Sequence, residues 1–491
     1  MLKERKILNE DKCFDSEIDT YVFDGVYDKT FTFINEKDTA NEINDEEFYY
    51  AEFKTKGCDS DYHTYCYSYN FEGVFLAFNL NIIDTDKYFK EDLSKELFNK
   101  NEFLNGVEKI LKEHNMIKEN DGHDLDISEK GYLKLVLLDK KLTSDVKQCS
   151  DEILKYIRDY YNIKNVHITR MFGSYILIKN VNGKLTAIKA TPIPIKYCPL
   201  MIKLLKEVGK ENAENIINTL TTGDEKLQSK AMCKLINEVV IEGGYFDTNR
   251  PLNSCEANVL FGASETMASA FKSNLIDAAV IVSNNLGTII TTNDSNTQGA
   301  VKRMTGLFYT SPSKEIIDTA VNSKIIPVFP FTGSIDQLEG VKKAIDLGYK
   351  KIAVSVAASD NYLHEELKKL EKNGVKIYKF GLCSTGIDEK TAIIMSKNAD
   401  IVWSCASKQV KKYIEPNSIA QVGIKIPVHV MSKDGWDVVS NHLKYMDSDF
   451  DNNVTLSSGN DKSIFLNNNS KIKVIKRKDL KKCNDCPYPC I

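Results

Sequence analysis

Three cysteines close to the end of the chain have the spacing of metal ligands. Residues 483–491 read CNDCPYPCI, so two residues separate Cys483 from Cys486 and three separate Cys486 from Cys490. The later part of the cysteine run that binds iron–sulfur clusters in bacterial ferredoxins has the same gaps. Three thiolates are one short of a complete set, and we expect Cys198 to be the fourth ligand because it too lies in a proline-stiffened loop. A ligand from a partner protein is the alternative to Cys198. A tail of reduced thiols without a metal is the alternative.

A further cysteine, Cys405, follows an apolar run that predicts a buried strand. Residues 401–408 read IVWSCASK, and the small and polar residues after the strand predict that a helix begins there. A helix N-terminus and a lysine such as Lys408 both favour the thiolate form of a neighbouring cysteine. Cys405 and Lys408 are therefore candidate catalytic residues. The alternative is that Cys405 packs as a small apolar side chain.

Small and polar residues also follow three other predicted strands, in segments 283–288 (SNNLGT), 357–360 (AASD) and 383–386 (CSTG). In an open parallel sheet the carboxyl ends of the strands meet at one edge, where ligands bind. We therefore expect Cys405, Lys408 and residues of these segments to surround one cleft for an anionic or metal-bearing ligand. The candidate ligand-binding residues are Asn284, Gly287, Ser384 and Thr385. The same residue types cap helices, which is the alternative for each loop.

The elements that position these residues alternate regularly from about residue 275 onward. Apolar runs such as 351–357 (KIAVSVA) alternate with stretches of helical period such as 361–374 (NYLHEELKKLEKNG). Strands that helices cover on both faces read as continuously apolar, so the pattern predicts an α/β fold with a mainly parallel sheet flanked by helices. Upstream, Asn182-Gly183 between two β-like runs predicts a two-residue hairpin turn.

Composition divides the chain into three predicted regions. Residues 1–150 are acidic and tyrosine-rich and predict a smaller α+β domain. Residues 165–445 carry the α/β pattern. Residues 449–491 are rich in asparagine and serine and predict a polar linker followed by the cysteine-containing tail.

Charge and cysteine content exclude several classes of protein. The 491 residues include 65 basic and 69 acidic side chains, a formal charge of −4, which provides no overall field for nucleic acid or an anionic membrane. No apolar run is long enough to span a bilayer and the first residues lack a signal-peptide core, so we expect a soluble cytoplasmic protein. Twelve cysteines in so long a chain predict reduced thiols instead of a disulfide framework.

The motifs of several large enzyme classes are absent from the sequence. There is no GxxxxGK(S/T) phosphate loop, no GxGxxG that opens a helix, no GxSxG and no HExxH. The seven histidines have no metal-ligand spacing, so we do not expect a histidine-rich zinc site. The cysteines and the strand-end loops are therefore the remaining candidates for a catalytic or binding site.

Long phrases in the second part of the chain resemble a known family. They are IKYCPL (195–200), LIDAAVIVSNNLGTIITTN (275–293), IDQLEGVKKAIDLGYKKIAVSVA (335–357) and ADIVWSCASK (399–408). In this order they resemble the methanogenesis marker 8 family of methanogenic archaea, over roughly residues 165–445. The resemblance implies a role in methanogens and an anaerobic cytoplasm. Cys198 and Cys405 fall on the family's pattern, whereas Cys383 does not.

Three functions are consistent with these observations. Thiol placement and the resemblance favour an accessory protein that binds an iron–sulfur cluster or another metal cofactor and serves a protein partner in cofactor assembly or enzyme activation. One alternative is an enzyme that uses Cys405 on a small anionic substrate. Another is a ligand-binding regulator without catalysis.

Overall fold

The computed structural model describes most of the chain between residues 72 and 446 and several strands outside that range. The described residues are 6–8, 27–34, 50–55, 62–68, 72–117, 124–127, 131–138, 144–194, 219, 224–256, 261–301, 306–405, 407–422, 427–446, 463–465 and 473–476. The chain forms two compact units. The first consists of Met1–Lys164, Ser311–Lys314 and Val328–Ser334, and the second of Asn165–Thr310, Glu315–Pro327 and Ile335–Ile491.

The first unit is built on an antiparallel sheet with the strand order β1-β2-β3-β4-β5-β7-β6. The strands are β1 (Lys6–Leu8), β2 (Tyr27–Ile34), β3 (Tyr50–Thr55), β4 (Tyr62–Ser68), β5 (Glu72–Asn79), β6 (Asp124–Ile127) and β7 (Tyr132–Leu138). The helices are α1 (Asp86–Phe89), α2 (Ser94–Leu97), α3 (Lys100–Glu113) and α4 (Ser144–Lys164). Phe103, Val107 and Leu111 recur every fourth residue of α3, so they share one helix face, and all three are buried in the core of this unit.

The second unit begins with a small antiparallel sheet of order β10-β9-β8-β13. Its strands are β8 (His167–Met171), β9 (Ser174–Val181), β10 (Lys184–Ala190) and β13 (Gly306–Thr310). Val181 pairs with Lys184 across the turn, and both turn residues have a positive φ, 53° at Asn182 and 84° at Gly183. These values are typical of a tight hairpin turn, so the predicted Asn182-Gly183 hairpin is confirmed.

The second unit also contains a ten-stranded mixed sheet of order β14-β12-β11-β15-β16-β17-β19-β18-β21-β20. Its strands are β11 (Ala278–Ser283), β12 (Gly287–Thr291), β14 (Ile326–Pro327), β15 (Lys351–Ala357), β16 (Lys376–Leu382), β17 (Ile401–Trp403), β18 (Ala420–Val422), β19 (Val428–Val430), β20 (Ser463–Phe465) and β21 (Lys473–Lys476). Strands β11, β15, β16 and β17 are parallel to one another. The α/β fold is thus confirmed.

Parallel pairing is confined to the centre of this sheet. Strand β12 pairs with β11 in antiparallel fashion, as does β19 with β17. Only residues 284–286 separate β11 from β12, and so short a turn cannot make the crossover that a parallel neighbour needs. The sheet is therefore more mixed at its edges than the apolar runs predicted.

The second unit also contains helices, and the one at Glu225–Ile236 packs against the small sheet. From residue 225 onward they are α5 (Glu225–Ile236), α6 (Ala263–Lys272), α7 (Asp294–Ala300), α8 (Lys314–Asn322), α9 (Gln337–Asp346), α10 (Leu363–Lys369), α11 (Glu389–Asn398) and α12 (Lys433–Met446). Gly435 lets α12 approach the start of β17, because a Cβ atom there would lie 2.1 Å from the carbonyl oxygen of Asp400. Among the described residues, no helix combines the length and apolarity of a bilayer-spanning segment.

Candidate functional site

Two cysteine-bearing loops lie side by side at the carboxyl ends of β16 and β17. The two strands are parallel neighbours, with Phe380 paired with Ile401 and Gly381 with Val402. Strand β16 ends one residue before Cys383, and β17 ends two residues before Cys405. The rule that groups strand-end residues at one edge of a parallel sheet therefore holds for this pair of loops.

The hydroxyl of Ser384 joins the two loops. Its oxygen accepts a hydrogen bond from the backbone N–H of Cys405 at 2.9 Å and donates to the carbonyl of Trp403 at 2.8 Å. Ser384 is fully buried, and both partners belong to the end of the neighbouring strand. One side chain therefore sets the position of Cys405 relative to the loop that carries Cys383.

Arg170 of β8 holds the Cys383 loop from the small sheet. Its guanidinium donates to the carbonyls of Cys383 at 2.9 Å and Thr385 at 2.7 Å, and it lies 5.0 Å from the ring centre of Tyr175. The predicted ligand-binding residue Thr385 is buried, and its carbonyl is one of these acceptors. Because the rigid guanidinium fork binds two carbonyls at once, it fixes the path of the loop.

The backbone of Cys383 is in the left-handed region, with a φ of 57°. A residue other than glycine, asparagine or aspartate rarely adopts this conformation, which costs on the order of 1 kcal/mol and is enriched at functional sites. The contacts of Arg170 compensate for this strain by holding the carbonyl groups of the loop.

The thiol of Cys383 points toward Gly306 at the start of β13. A Cβ atom on Gly306 would lie only 2.7 Å from the sulfur, so glycine is needed there. Burial and, to a smaller extent, the charge of Cys405 raise the pKa of the Cys383 thiol to about 12, while Arg170 acts in the opposite direction. The residue keeps some exposed surface, but its sulfur is protonated at neutral pH.

Asp360 and Tyr175 also interact electrostatically with Cys383. Asp360 ends a 3-10 turn, Ala358–Asp360, that follows β15, and its charge also raises the pKa of Cys383. The pKa of Tyr175 is raised, first by burial, while the charge of Arg170 lowers it. The strand-end rule had selected the loop of Asp360 but had not singled out this residue.

The contacts of Cys405 and Lys408, the two predicted catalytic residues, do not test their chemistry. Cys405 is half-buried beside Ser384, as expected of a side chain at the sheet edge. Lys408 is exposed, and within the described part of the chain it forms no hydrogen bond or ion pair. The helical turn after Cys405 is capped by Ser407, whose hydroxyl accepts from the N–H of Gln409 at 3.2 Å. The assignment of Cys405 and Lys408 as catalytic residues stays a prediction.

Asn284 and Gly287 lie in the turn between β11 and β12. The side-chain N–H of Asn284 donates to the carbonyl of Tyr245 at 2.8 Å, and the carbonyl of Asn284 accepts from Arg250. Gly287 has a φ of 66° and pairs with Ser283 to close the turn. The hydrogen bonds of Asn284 thus run to the segment that carries Tyr245 and Arg250 and not to the Cys405 loop. No sequence motif had indicated Arg250.

These residues fall in a region shared with archaeal proteins. Residues 167–444 match the model of the family described as "Uncharacterized protein conserved in archaea (DUF2099)". The chain belongs to this family. A protein of Methanocaldococcus jannaschii, named "Uncharacterized protein MJ0054", is 35% identical over 283 residues, which cover 57% of this chain and 92% of the relative. Arg170, Cys383 and Cys405 all lie within the DUF2099 region.

One solved structure, of the F420-reducing NiFe hydrogenase complex from Methanosarcina barkeri, also matches. The identity is 11% and the TM-score 0.20, with 38% of this chain and 72% of that chain covered. A likeness this low carries no argument about the DUF2099 fold or its function.

The structure leaves the predicted metal ligands of this DUF2099 protein untested. Cys198 and the tail residues Cys483, Cys486 and Cys490 lie outside the described residues. Among the described residues, no three histidine, cysteine, aspartate or glutamate side chains converge as metal ligands. Cys383 and Cys405 would supply two thiolates, so any metal held at this edge needs further ligands.

Proposed function

We propose that the protein is a cytoplasmic accessory protein of methanogens that binds an iron–sulfur cluster or another thiophilic metal cofactor. Cys405 and, once the metal displaces its proton, Cys383 provide two thiolates, and the remaining two of a four-thiolate set come from Cys198, Cys483, Cys486 and Cys490. The observation that carries the proposal is the tie that Ser384 makes between the two cysteine loops, because metal sites need ligands on fixed backbone. Support for a role in methanogenesis comes from the resemblance to methanogenesis marker 8 proteins and from the relative in M. jannaschii.

Ligand chemistry favours a soft metal at this edge. Thiolates select iron–sulfur clusters, zinc and copper(I), whereas oxygen ligands select magnesium or calcium. The tail contributes Cys483, Cys486 and Cys490 at the gaps of a cluster-binding run. Delivery of such a cofactor to an anaerobic enzyme would require a protein partner.

Anaerobic purification followed by iron, sulfide and zinc analysis tests this function. We expect the parent protein to bind metal after reconstitution and to show the visible absorption of a cluster. Changing Cys483, Cys486 and Cys490 together to alanine should abolish the absorption, and Cys255→Ser, at an exposed cysteine, should leave it unchanged. The absence of metal from the reconstituted parent would reject the proposal.

A second candidate is an enzyme that uses Cys405 on a small anionic substrate. The observation that favours it is the raised pKa of Cys383, which keeps a proton on one thiol beside a second thiol. In this case the Cys405 thiolate removes a proton from a carbon next to a carboxylate, and the Cys383 thiol returns one. Deuterium exchange at that carbon, followed by NMR, should then occur in the parent protein and disappear in Cys405→Ser.

A further inference from the structure

Arg250 is a half-buried cation that lacks a carboxylate partner among the described residues. Its guanidinium donates to the carbonyls of Asp247 and Asn284 and, at 3.2 Å, to the hydroxyl of Ser283. All three acceptors are uncharged, and the carboxylate of Asp247 instead accepts from the N–H of Asn249. Burial lowers the pKa of Arg250 to about 10, against the raising effect of Asp247, so the guanidinium keeps its charge at neutral pH.

A partly buried positive charge that forms no ion pair is costly, and the carboxylate of Asp247 acts on Arg250 without a direct contact among the described residues. The effective penalty for an unpaired ion in a protein interior is several kcal/mol, and an anion removes much of it. In the described part of the chain, the Nε of Arg250 donates to no acceptor. The guanidinium therefore has both the charge and a hydrogen-bond donor for a negatively charged ligand.

Asn284 adds an unsatisfied acceptor at the same place. Its side chain is 2% exposed, and its Oδ1 has no hydrogen-bond partner among the described residues. The orientation of the amide is fixed, because the carbonyl of Tyr245 accepts from Nδ2 and can only pair with a donor. A buried acceptor without a partner destabilises the fold by about 1–3 kcal/mol. A ligand that donates a hydrogen bond to Oδ1 would remove this cost.

Both residues lie at the carboxyl end of β11, where the sheet changes from parallel to antiparallel pairing. β11 has β15 as its parallel neighbour and β12 as its antiparallel one. The carboxyl ends of central strands are the usual position for ligands in open α/β sheets. The hydrogen bond from Arg250 to the carbonyl of Asn284 keeps the cation and the orphan acceptor together.

His167 lines the same region without adding a second charge. Its ring nitrogens pair with the hydroxyl of Thr310 at 2.8 Å and with Oδ1 of Asn165 at 2.7 Å. Burial, helped by the charge of Arg250, lowers the pKa of His167 to about 3, so the imidazole is neutral. Arg250 is thus the cation that an anion would meet here.

We propose that Arg250 and Asn284 bind a small carboxylate that carries a hydroxyl or amino group on the adjacent carbon. The guanidinium binds the carboxylate, and Oδ1 of Asn284 accepts a hydrogen bond from the neighbouring hydroxyl or amino group. A simple carboxylate satisfies the charge but leaves the Asn284 acceptor unpaired, which is how the site distinguishes the two ligands. This site is independent of the thiol proposal, since it uses none of its residues.

Calorimetric titration of the full chain with glycolate and with acetate tests the proposal. Glycolate has both groups, whereas acetate has only the carboxylate. We expect glycolate to bind at least about tenfold more tightly than acetate, and Arg250→Met and Asn284→Asp each to weaken glycolate binding at least about tenfold. Asn284→Asp keeps the side-chain shape and adds a negative charge that opposes an anionic ligand, so it reports on binding even if Arg250→Met does not fold.

Asn274→Asp is the matched control, because it makes the same change at an exposed position of the same unit. It should bind glycolate as the parent does. Three results would overturn the proposal: equal affinity for glycolate and acetate, unchanged glycolate binding in Asn284→Asp, or no heat of binding up to about 20 mM glycolate. None of these results bears on the metal content of the protein.

Discussion

The hydroxyl of Ser384 accepts a hydrogen bond of 2.9 Å from the backbone N–H of Cys405. Because the same hydroxyl donates to the carbonyl of Trp403, one buried side chain connects the ends of two parallel strands beyond their last backbone pair. The position of the half-buried Cys405 therefore depends on a side chain of the Cys383 loop. Removing that side chain should displace one thiol while the sheet remains intact.

Ser384→Ala tests this dependence. The substitution leaves the N–H of Cys405 and the carbonyl of Trp403 without their partner, so we expect a loss of about 1–3 kcal/mol in the free energy of unfolding. Hydrogen exchange at the Cys405 amide should become faster, while amides in the middle of β16 stay protected. Unchanged exchange at Cys405 would show that the hydroxyl does not hold the loop.

Gly306→Ala should destabilise the second unit because its new methyl group would meet the sulfur of Cys383, 2.7 Å from the Cβ position. Overpacking of this kind costs about 1–3 kcal/mol. A double-mutant cycle with Cys383→Ala isolates the contact, since removing the sulfur should recover part of the loss. Equal cost of Gly306→Ala in both backgrounds, measured by urea unfolding, would mean that the sulfur does not face Gly306.

The cysteines should differ in their reactivity toward iodoacetamide in the native protein. The thiolate is the reactive form, and burial raises the pKa of both Cys383 and Cys149 to about 12. We expect the exposed Cys255 and the half-buried Cys405 to be modified well before these two at about pH 8. Peptide mapping by mass spectrometry reads out the order, and modification of native Cys383 as fast as Cys255 would contradict it.

Local sequence signals predicted several elements and the strand ends that precede Cys383 and Cys405. The Asn182-Gly183 turn and the strand ends before Cys383 and Cys405 depend on neighbouring residues alone, so they could be predicted from sequence. The contacts of Arg170 and Gly306 with the Cys383 loop could not, because they join a different sheet across long separations in the chain.

For Asn284, the sequence indicated the residue but not the residues that it contacts. The strand-end rule placed it after β11, where the structure has it, but its partners Tyr245 and Arg250 come from a segment with no periodic signal. A sequence pattern finds the edge of a sheet, whereas the choice of neighbours along that edge depends on tertiary packing. The antiparallel pairing of β12 with β11 was missed because an apolar run carries no information about strand direction.

His364 should make the protein sensitive to acid. It is fully buried, its ring nitrogens have no partner among the described residues, and burial, helped by the charge of Lys379, lowers its pKa to about 4. The unfolded chain protonates this histidine below about pH 6.5, whereas the folded chain does so only below about pH 4, so stability falls as the pH drops through this window. The difference of about 2.5 pKa units corresponds to roughly 3 kcal/mol.

His364→Leu is the variant that tests the acid effect, since leucine has a similar volume and no titratable group. Its stability at neutral pH should equal or exceed that of the parent, and the loss between about pH 6.5 and pH 4 should be smaller by up to roughly 3 kcal/mol. Urea unfolding midpoints across this range give the comparison. Parallel pH profiles for the two proteins would show that His364 titrates normally in the folded state.

The metal content of the Cys383→Ser/Cys405→Ser double variant tests the central claim most directly. We predict that, after anaerobic reconstitution, this variant binds much less iron or zinc per chain than the parent, because two of the proposed thiolate ligands are gone. Cys255→Ser, which removes an exposed cysteine, should bind as much as the parent. A double variant that remains folded and binds the full amount of metal would contradict the assignment of Cys383 and Cys405 as ligands.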